Sequence, residues 1–284
     1  MLNLAIAGID RSLQDAAGAR LRGVALTEPG QDTSDALLLL GEASPDRRFI
    51  ESVAKRGGCL FVGSDWNIDQ HILDHWTASG GAPPRYCFLP RQLAAVRLIR
   101  QQLQSGHLGK PGLIRTHRWL SRSETVTEAA KKFRVLTEEL DLALWFAAAA
   151  PERVFALERS DSGGPTVLQV HLGFPHGAMA VLDLSIDIPT TSDYRAISLI
   201  GSNGAASADD HANLQWLMQP SSSAAILDNA SLPAVVSLLA EIRDNFASVE
   251  WAEQSRRDRN AATQASELVQ ASLRTGNAIA WSDV

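Results

Sequence analysis

Apolar residues gather in short unbroken runs at the start of the chain and in alternating runs further on. Leu2–Gly8, Leu21–Thr27, Ala36–Leu40 and Cys59–Val62 are short apolar stretches, with Tyr86–Leu89 a weaker fifth. Ala36–Leu40 has no polar alternation, which predicts a strand buried on both faces. Helix-like stretches at Pro45–Arg56 and Asn67–Ala78 lie between the last three runs. Apolar strands separated by helices predict a parallel sheet with helices on its faces. Only the eight residues Glu28–Asp35 separate the second run from the third. A right-handed parallel crossover generally takes about a dozen residues or more. Either a helix has been lost there or the connection is irregular.

Residues 91–109 read as a long helix stopped at Gly106 or Gly109, with Pro111 just beyond. Leu113–Trp119 opens a different regime. An Ala-rich helix is predicted at Thr137–Ala150, ended by Pro151. Alternating segments follow at Val154–Glu158, Val167–Leu172, Ala178–Ile186, Tyr194–Ile200, Ala205–Ala208 and Leu214–Met218. Turn sequences such as Ser162-Gly163-Gly164-Pro165, Pro175-His176-Gly177 and Ser202-Asn203-Gly204 split them. That pattern predicts an antiparallel sheet with one covered face. Helices return over Pro233–Ser248 and Arg259–Thr275, with Gly276 as a C-cap. The domain boundary is expected near residues 110–120, giving domains 1–111 and 112–284.

A length of 284 residues suits two domains, and 45% hydrophobic with 20% charged residues excludes wholesale disorder. No uncharged apolar run of ~18 residues or more occurs, so no membrane span is expected. Met1–Gly8 lacks the basic start of a secretion signal and reads as a first strand. The two cysteines, Cys59 and Cys87, are too few for a disulfide framework or a Cys-rich zinc site and fit a cytoplasmic protein. Residues 1–111 carry 12 Lys/Arg and 11 Asp/Glu; residues 112–284 carry 14 and 21. Neither half has the basic excess that binding a phosphate backbone needs, so no nucleic acid partner is expected.

Four segments carry a resemblance to a known family. Leu98–Trp119, LIRQQLQSGHLGKPGLIRTHRW, is similar to a helix, a G-x-[IL]-G turn and a strand that cross between two domains. Glu138–Ala156, EELDLALWFAAAAPERVFA, is similar to an H-D-I-D-L-x-x-W-x-x-G helix followed by V-x-A. Leu199–Ala208, LIGSNGAASA, resembles a G-x-x-G strand turn, and Ser272–Gly276 resembles the end of the last helix. Together they resemble the glucose-fructose oxidoreductase / inositol dehydrogenase (Gfo/Idh/MocA) family. The resemblance implies a fold: a Rossmann-like parallel-sheet domain, shortened here, then an α+β domain with a large open, mainly antiparallel sheet. It implies NAD or NADP as cofactor, redox chemistry on sugars, inositols or other polyols, and a homodimer or higher oligomer formed through the C-terminal sheet.

At the positions that carry the family's chemistry, this chain differs. The dinucleotide loop G-x-G-x-x-G corresponds to Gly8-Ile9-Asp10-Arg11-Ser12-Leu13. The glycines of such a loop let the backbone turn and approach a pyrophosphate at a helix N-terminus. Only Gly8 remains; Asp10 would set a carboxylate beside the phosphates, and Arg11 could partly offset it. Asp10 equally suits a helix N-cap. Glu28, 20 residues after Gly8, matches the acid that binds ribose hydroxyls, or is a turn acid before Pro29. The family's E-K-P lysine motif aligns with Gly63-Ser64-Asp65. Ser64 lacks the lysine's charge, Asp65 could serve as a base, and either could instead cap the next helix. The family's catalytic histidine aligns with Glu138, three residues before Asp141. Glu138 is a candidate general base if burial raises its pKa, or a solvated helix acid beside Glu139.

Other constellations say less. His71 and His75 are one helical turn apart but have no evident third ligand, so no metal is expected. Ser255-Arg256-Arg257-Asp258-Arg259 reads as a solvated helix start, and Lys131, Lys132 and Arg134 as the approach to the Glu138 helix, where a carboxylate or sugar acid could bind. Trp119, Trp145, Trp216 and Trp251 are expected to pack the second domain. Three readings follow: an oxidoreductase-like protein whose hydride transfer is impaired or lost, a non-catalytic binding or assembly subunit, and a non-redox lyase or hydrolase using Glu138, Asp141 and Asp65.

Overall fold

The run without polar alternation is buried at every position: Ala36, Leu37, Leu38 and Leu39 are fully enclosed. In the computed structural model, which describes residues 1–30, 33–40, 45–63, 70–122, 127–160, 164–189, 193–209 and 231–283, this run is the central strand of a parallel sheet. The chain divides into two compact units, Met1–Leu93 with Ser231–Arg259 and Ala94–Ala230 with Asn260–Val284.

In the first unit, β1 (Leu2–Ala7), β2 (Val24–Thr27), β3 (Ala36–Leu39), β4 (Cys59–Gly63) and β5 (Arg85–Cys87) form a sheet in the order β2-β1-β3-β4-β5. All its pairs are parallel. Helices α1 (Arg11–Gly18), α2 (Arg47–Lys55) and α3 (Gln70–Ala78) follow β1, β3 and β4. One sheet face buries Ala5, Leu37, Leu39 and Val62 against Phe49, Ile50 and Val53 of α2 and Ile72 and Trp76 of α3.

The other face is completed from far along the chain. Leu4, Ile6, Leu38 and Phe61 pack with Ala17 of α1 and with Val235, Leu238, Leu239 and Ile242 of α6 (Ser231–Asn245). The described residues between β2 and β3 contain no helix, so the short connection predicted from sequence is real. It is tied down by Thr27 and Ser34, whose hydroxyls lie 3.0 Å apart, and by Asp35, which accepts from the Asn3 amide at 2.8 Å.

In the second unit, α4 (Ala94–Gln104) precedes β6 (Pro111–Ser121), α5 (Glu128–Ala147), β7 (Arg153–Ser160), β8 (Thr166–Gly173), β9 (Met179–Ile188), β10 (Tyr194–Gly201) and β11 (Ala205–Asp209). With β12 (Ile279–Ala280) these strands form one sheet in the order β11-β10-β6-β9-β8-β7-β12. Every pair is antiparallel except β6–β9. The expected mainly antiparallel sheet is therefore present. Helix α5 packs on β6 and β9, and the strand residues facing it alternate as predicted: Ala180, Leu182, Leu184 and Ile186 are all fully buried. The segment expected as a strand at Leu214–Met218 lies outside the described residues.

Several boundaries differ for identifiable reasons. The helix expected over 91–109 is a 3-10 turn at Leu89–Gln92 followed by α4, which stops before Gly106 at φ 79°. Helix α5 begins nine residues before Thr137, because the Thr127 hydroxyl caps it and Lys131 is buried by pairing with Asp187. Lys131, Lys132 and Arg134 are thus helical rather than part of a loop. Helix α7 (Val249–Thr275) begins ahead of the expected Arg259. The basic stretch therefore lies inside a helix, where Ser255 is buried and Asp258 pairs with Arg91 at 2.7 Å. Trp251 packs against Phe61 of the first unit, ring centroids 6.1 Å apart, not in the second as expected. Among the described residues no helix is long and apolar enough to cross a membrane.

Candidate functional site

The turn between β1 and α1 is where a doubly wound sheet receives a phosphate group. Gly8 turns the chain there with φ 93°, a conformation that favours glycine. Asp10 then caps α1. Its Oδ1 accepts the Ser12 amide at 2.7 Å and the Ser12 hydroxyl. The hydroxyl bond first, then the amide bond, hold the Asp10 carboxyl below its usual pKa. Leu13 packs into the core at the third glycine position. Arg11 reaches Glu28, just past β2, at 2.6 Å, and both side chains are exposed. The structure thus joins Asp10, Arg11 and Glu28 around one turn but pairs Arg11 with Glu28 rather than leaving it free.

These groups do not fit a pyrophosphate as they stand. An anion needs the free amides of the first helical turn and the positive end of the helix dipole. Here a carboxylate already holds that place and keeps its charge. A phosphate at ~4 Å would be repelled by about 1 kcal/mol in water, and by more where water is excluded. Ser64 and Asp65 lie outside the described residues, immediately after β4.

In the second unit, α5 carries Glu138, Glu139 and Asp141, all buried. Glu138 is neither solvated nor alone. Arg195 of β10 donates from Nη2 to Glu138 Oε2 at 3.0 Å and from Nε to Glu139 Oε1 at 3.0 Å. Burial depresses the pKa of Arg195, but Glu139 and then Glu138 outweigh it, and the net direction is upward. Arg118 of β6 is the register partner of Arg195. Its pKa is lowered, by burial first and by the neighbouring Arg195 second, against the opposing pull of Glu138, Glu139 and Asp193. Asp141 sits one turn beyond Glu138 and is 2% exposed. As arranged, Glu138 and Glu139 hold β10 to the helix through Arg195, whose Nε and Nη2 both meet the single oxygen Glu139 Oε1.

Sequence reasoning found Glu138 and Asp141 but missed Arg195, Arg118, and the Lys131–Asp187 pair. A signal was available for Arg118: it falls in phase with Ile114, Thr116 and Leu120, at an inward position of its strand. The other candidates are not brought together. His71 is exposed, and no group of three or more metal-binding side chains occurs among the described residues.

The architecture is that of two-domain dehydrogenases: a Rossmann-like parallel sheet and an α+β unit with an open mixed sheet. Solved structures of that class match the whole chain. A probable dehydrogenase from Thermotoga maritima matches with a TM-score of 0.73 at 15% identity, covering 100% of both chains. A myo-inositol dehydrogenase from Corynebacterium glutamicum gives 0.70 at 12% identity, over 99% of this chain and 98% of that one. The scyllo-inositol dehydrogenase from Lactobacillus casei, solved with bound NAD(H) and scyllo-inositol, gives 0.64 at 13% identity over 100% of both. The fold is therefore the one that the Gfo/Idh/MocA resemblance implied. No protein-family profile matches the chain, and no curated protein does.

Proposed function

We propose that this chain is a non-catalytic binding or assembly protein built on the scaffold of the sugar and polyol dehydrogenases, with hydride transfer lost. The observation that carries this reading is the Asp10 carboxylate capping α1 in the place of a pyrophosphate. Two further departures support it. Ser64 stands where the resemblance implies a lysine, and Glu138, where it implies a histidine, is clasped by Arg195. The second unit would then be the working part. Its open sheet face exposes Leu157, Val167 and Met179, which suits a second copy of the chain. A sugar- or polyol-like small molecule remains the ligand class that the resemblance implies.

The test is titration of the purified chain with NADH and NADPH, followed by nicotinamide fluorescence and by melting temperature. No binding at millimolar cofactor is the expected result. Micromolar binding would overturn this reading. It would favour instead an NAD(P)-dependent oxidoreductase with altered chemistry, a reading that the position of Glu28 just beyond β2 and the positive φ of Gly8 support.

A further inference from the structure

The turn Ser202-Asn203-Gly204 joins β10 to β11, the edge strand of the seven-stranded sheet. The Gly201 amide closes it by donating to the Gly204 carbonyl at 2.8 Å. Asn-Gly pairs are common in hairpins because a type I′ turn needs left-handed backbone at both central residues. Here neither Asn203 nor Gly204 has a positive φ. A Cβ on Gly204 would meet nothing closer than the His107 carbonyl at 3.5 Å, an ordinary contact. The fold therefore does not demand this pair, and no other asparagine in the chain is followed by glycine.

The geometry favours a reaction between the two residues. Ser202, Asn203 and Gly204 are all exposed to water. The Ser202 hydroxyl accepts the Lys110 amide at 3.1 Å and donates to Asn203 Oδ1 at 3.1 Å. That donation polarises the side-chain carbonyl and stabilises negative charge developing on its oxygen. Among the described residues the Gly204 N–H donates no hydrogen bond. Gly204 also has no Cβ to hinder the approach of its nitrogen to Asn203 Cγ. The turn is anchored from its other side, where Asn203 N–H donates to the Leu108 carbonyl at 3.1 Å and Ser202 N–H to the Lys110 carbonyl at 2.9 Å.

We propose that Asn203 is a site of spontaneous deamidation in the folded protein. The Gly204 nitrogen loses its proton to hydroxide and attacks Asn203 Cγ. The new N–Cγ bond forms, the Cγ–Nδ2 bond breaks, and ammonia leaves with a proton taken from water, which restores the hydroxide. Water then opens the succinimide ring, at Cγ to give aspartate or at the main-chain carbonyl to give isoaspartate. No electron transfer is involved, and water is the sole co-reactant. Both products place a carboxylate in the turn. Isoaspartate also lengthens the backbone between Gly201 and Gly204, in a turn packed so closely on Gly109 that a Cβ there would lie 2.9 Å from Asn203 Cγ. As the protein ages, β11 loosens from β10.

The experiment is incubation of the full chain at neutral and at alkaline pH, with peptide mapping by mass spectrometry. Parallel samples are Gly204→Ala and the wild type unfolded in guanidinium chloride. Asn203 should exchange its amide for a carboxylate ahead of Asn260 and Asn277, which are also exposed, and faster at alkaline pH. The rate should fall about tenfold in Gly204→Ala. Conversion in the folded chain should match or exceed that in the unfolded one, because only the fold holds the Ser202 bond. Hydrogen exchange of β11 should quicken in the converted fraction. An Asn203 that stays intact when folded but converts when unfolded would overturn the proposal. So would equal rates in wild type and Gly204→Ala, or equal rates at Asn203, Asn260 and Asn277. If Gly204→Ala melts early, the folded and unfolded wild type decide between them.

Discussion

A carboxylate at the start of a helix satisfies orphan amides and at the same time denies that place to any other anion. Asp10 does both, which gives it two separable effects. Asp10→Gly should leave α1 folded, since glycine is an acceptable cap, yet should raise the affinity for NADH relative to wild type, read by nicotinamide fluorescence. The carboxyl of Asp10 has a lowered pKa in the folded chain. Its stabilising effect is therefore present above the unfolded carboxyl value of about 3.9 and is lost as pH falls through the lower folded value. Melting temperature against pH should accordingly show a weaker acid loss in Asp10→Gly than in wild type. A different kind of residue effect is expected at Arg195, which is 8% exposed and holds two buried carboxylates. Arg195→Leu removes the guanidinium that bonds both Glu138 and Glu139 and should cost about 3–5 kcal/mol in urea unfolding. Arg195→Lys should recover part of that, because one ammonium cannot fork to both.

Among the elements, α6 is the one whose place the sequence conceals. Its apolar positions mark it as a buried helix, but nothing local says that it covers β1 and β3 beside α1. The missing crossover between β2 and β3 was legible because eight residues are too few for a helix; what replaces that helix was not, because the replacement begins at Ser231. Leu238→Ala, at a fully buried position of α6, should destabilise by about 2–5 kcal/mol. Hydrogen exchange should show the loss in β1 and β3 as well as in the helix. The start of α5 was misread for a related reason: Lys131 and Glu138 look solvated in a helical pattern, and only their partners on β9 and β10 make burial tolerable. Strand alternation placed β8 and β9 well because their apolar and polar sides are cleanly divided, whereas Arg195 and Arg118 break that division on β10 and β6. Residues 64–65, half of the expected catalytic set, fall outside the described residues.

For the molecule as a whole, the likeness to solved structures at 12–15% identity is one of fold, and a fold does not by itself carry function. The same sheet that defines the class leaves Leu157, Val167 and Met179 at 53%, 44% and 48% exposure. Val167→Glu should shift the chain toward a smaller species in sedimentation velocity if, as proposed, a second copy covers that face. The discontinuity of the first unit has a consequence for biosynthesis. Residues 1–93 cannot close their core until Val235 to Ile242 have been made after them. Strands β6 to β11 are made before that moment, but their unit too waits, for residues 260–284, which include β12 beside β7. The exposed parallel strands must wait meanwhile, and translation that stalls between β11 and α6 would leave them as a substrate for chaperones or proteases.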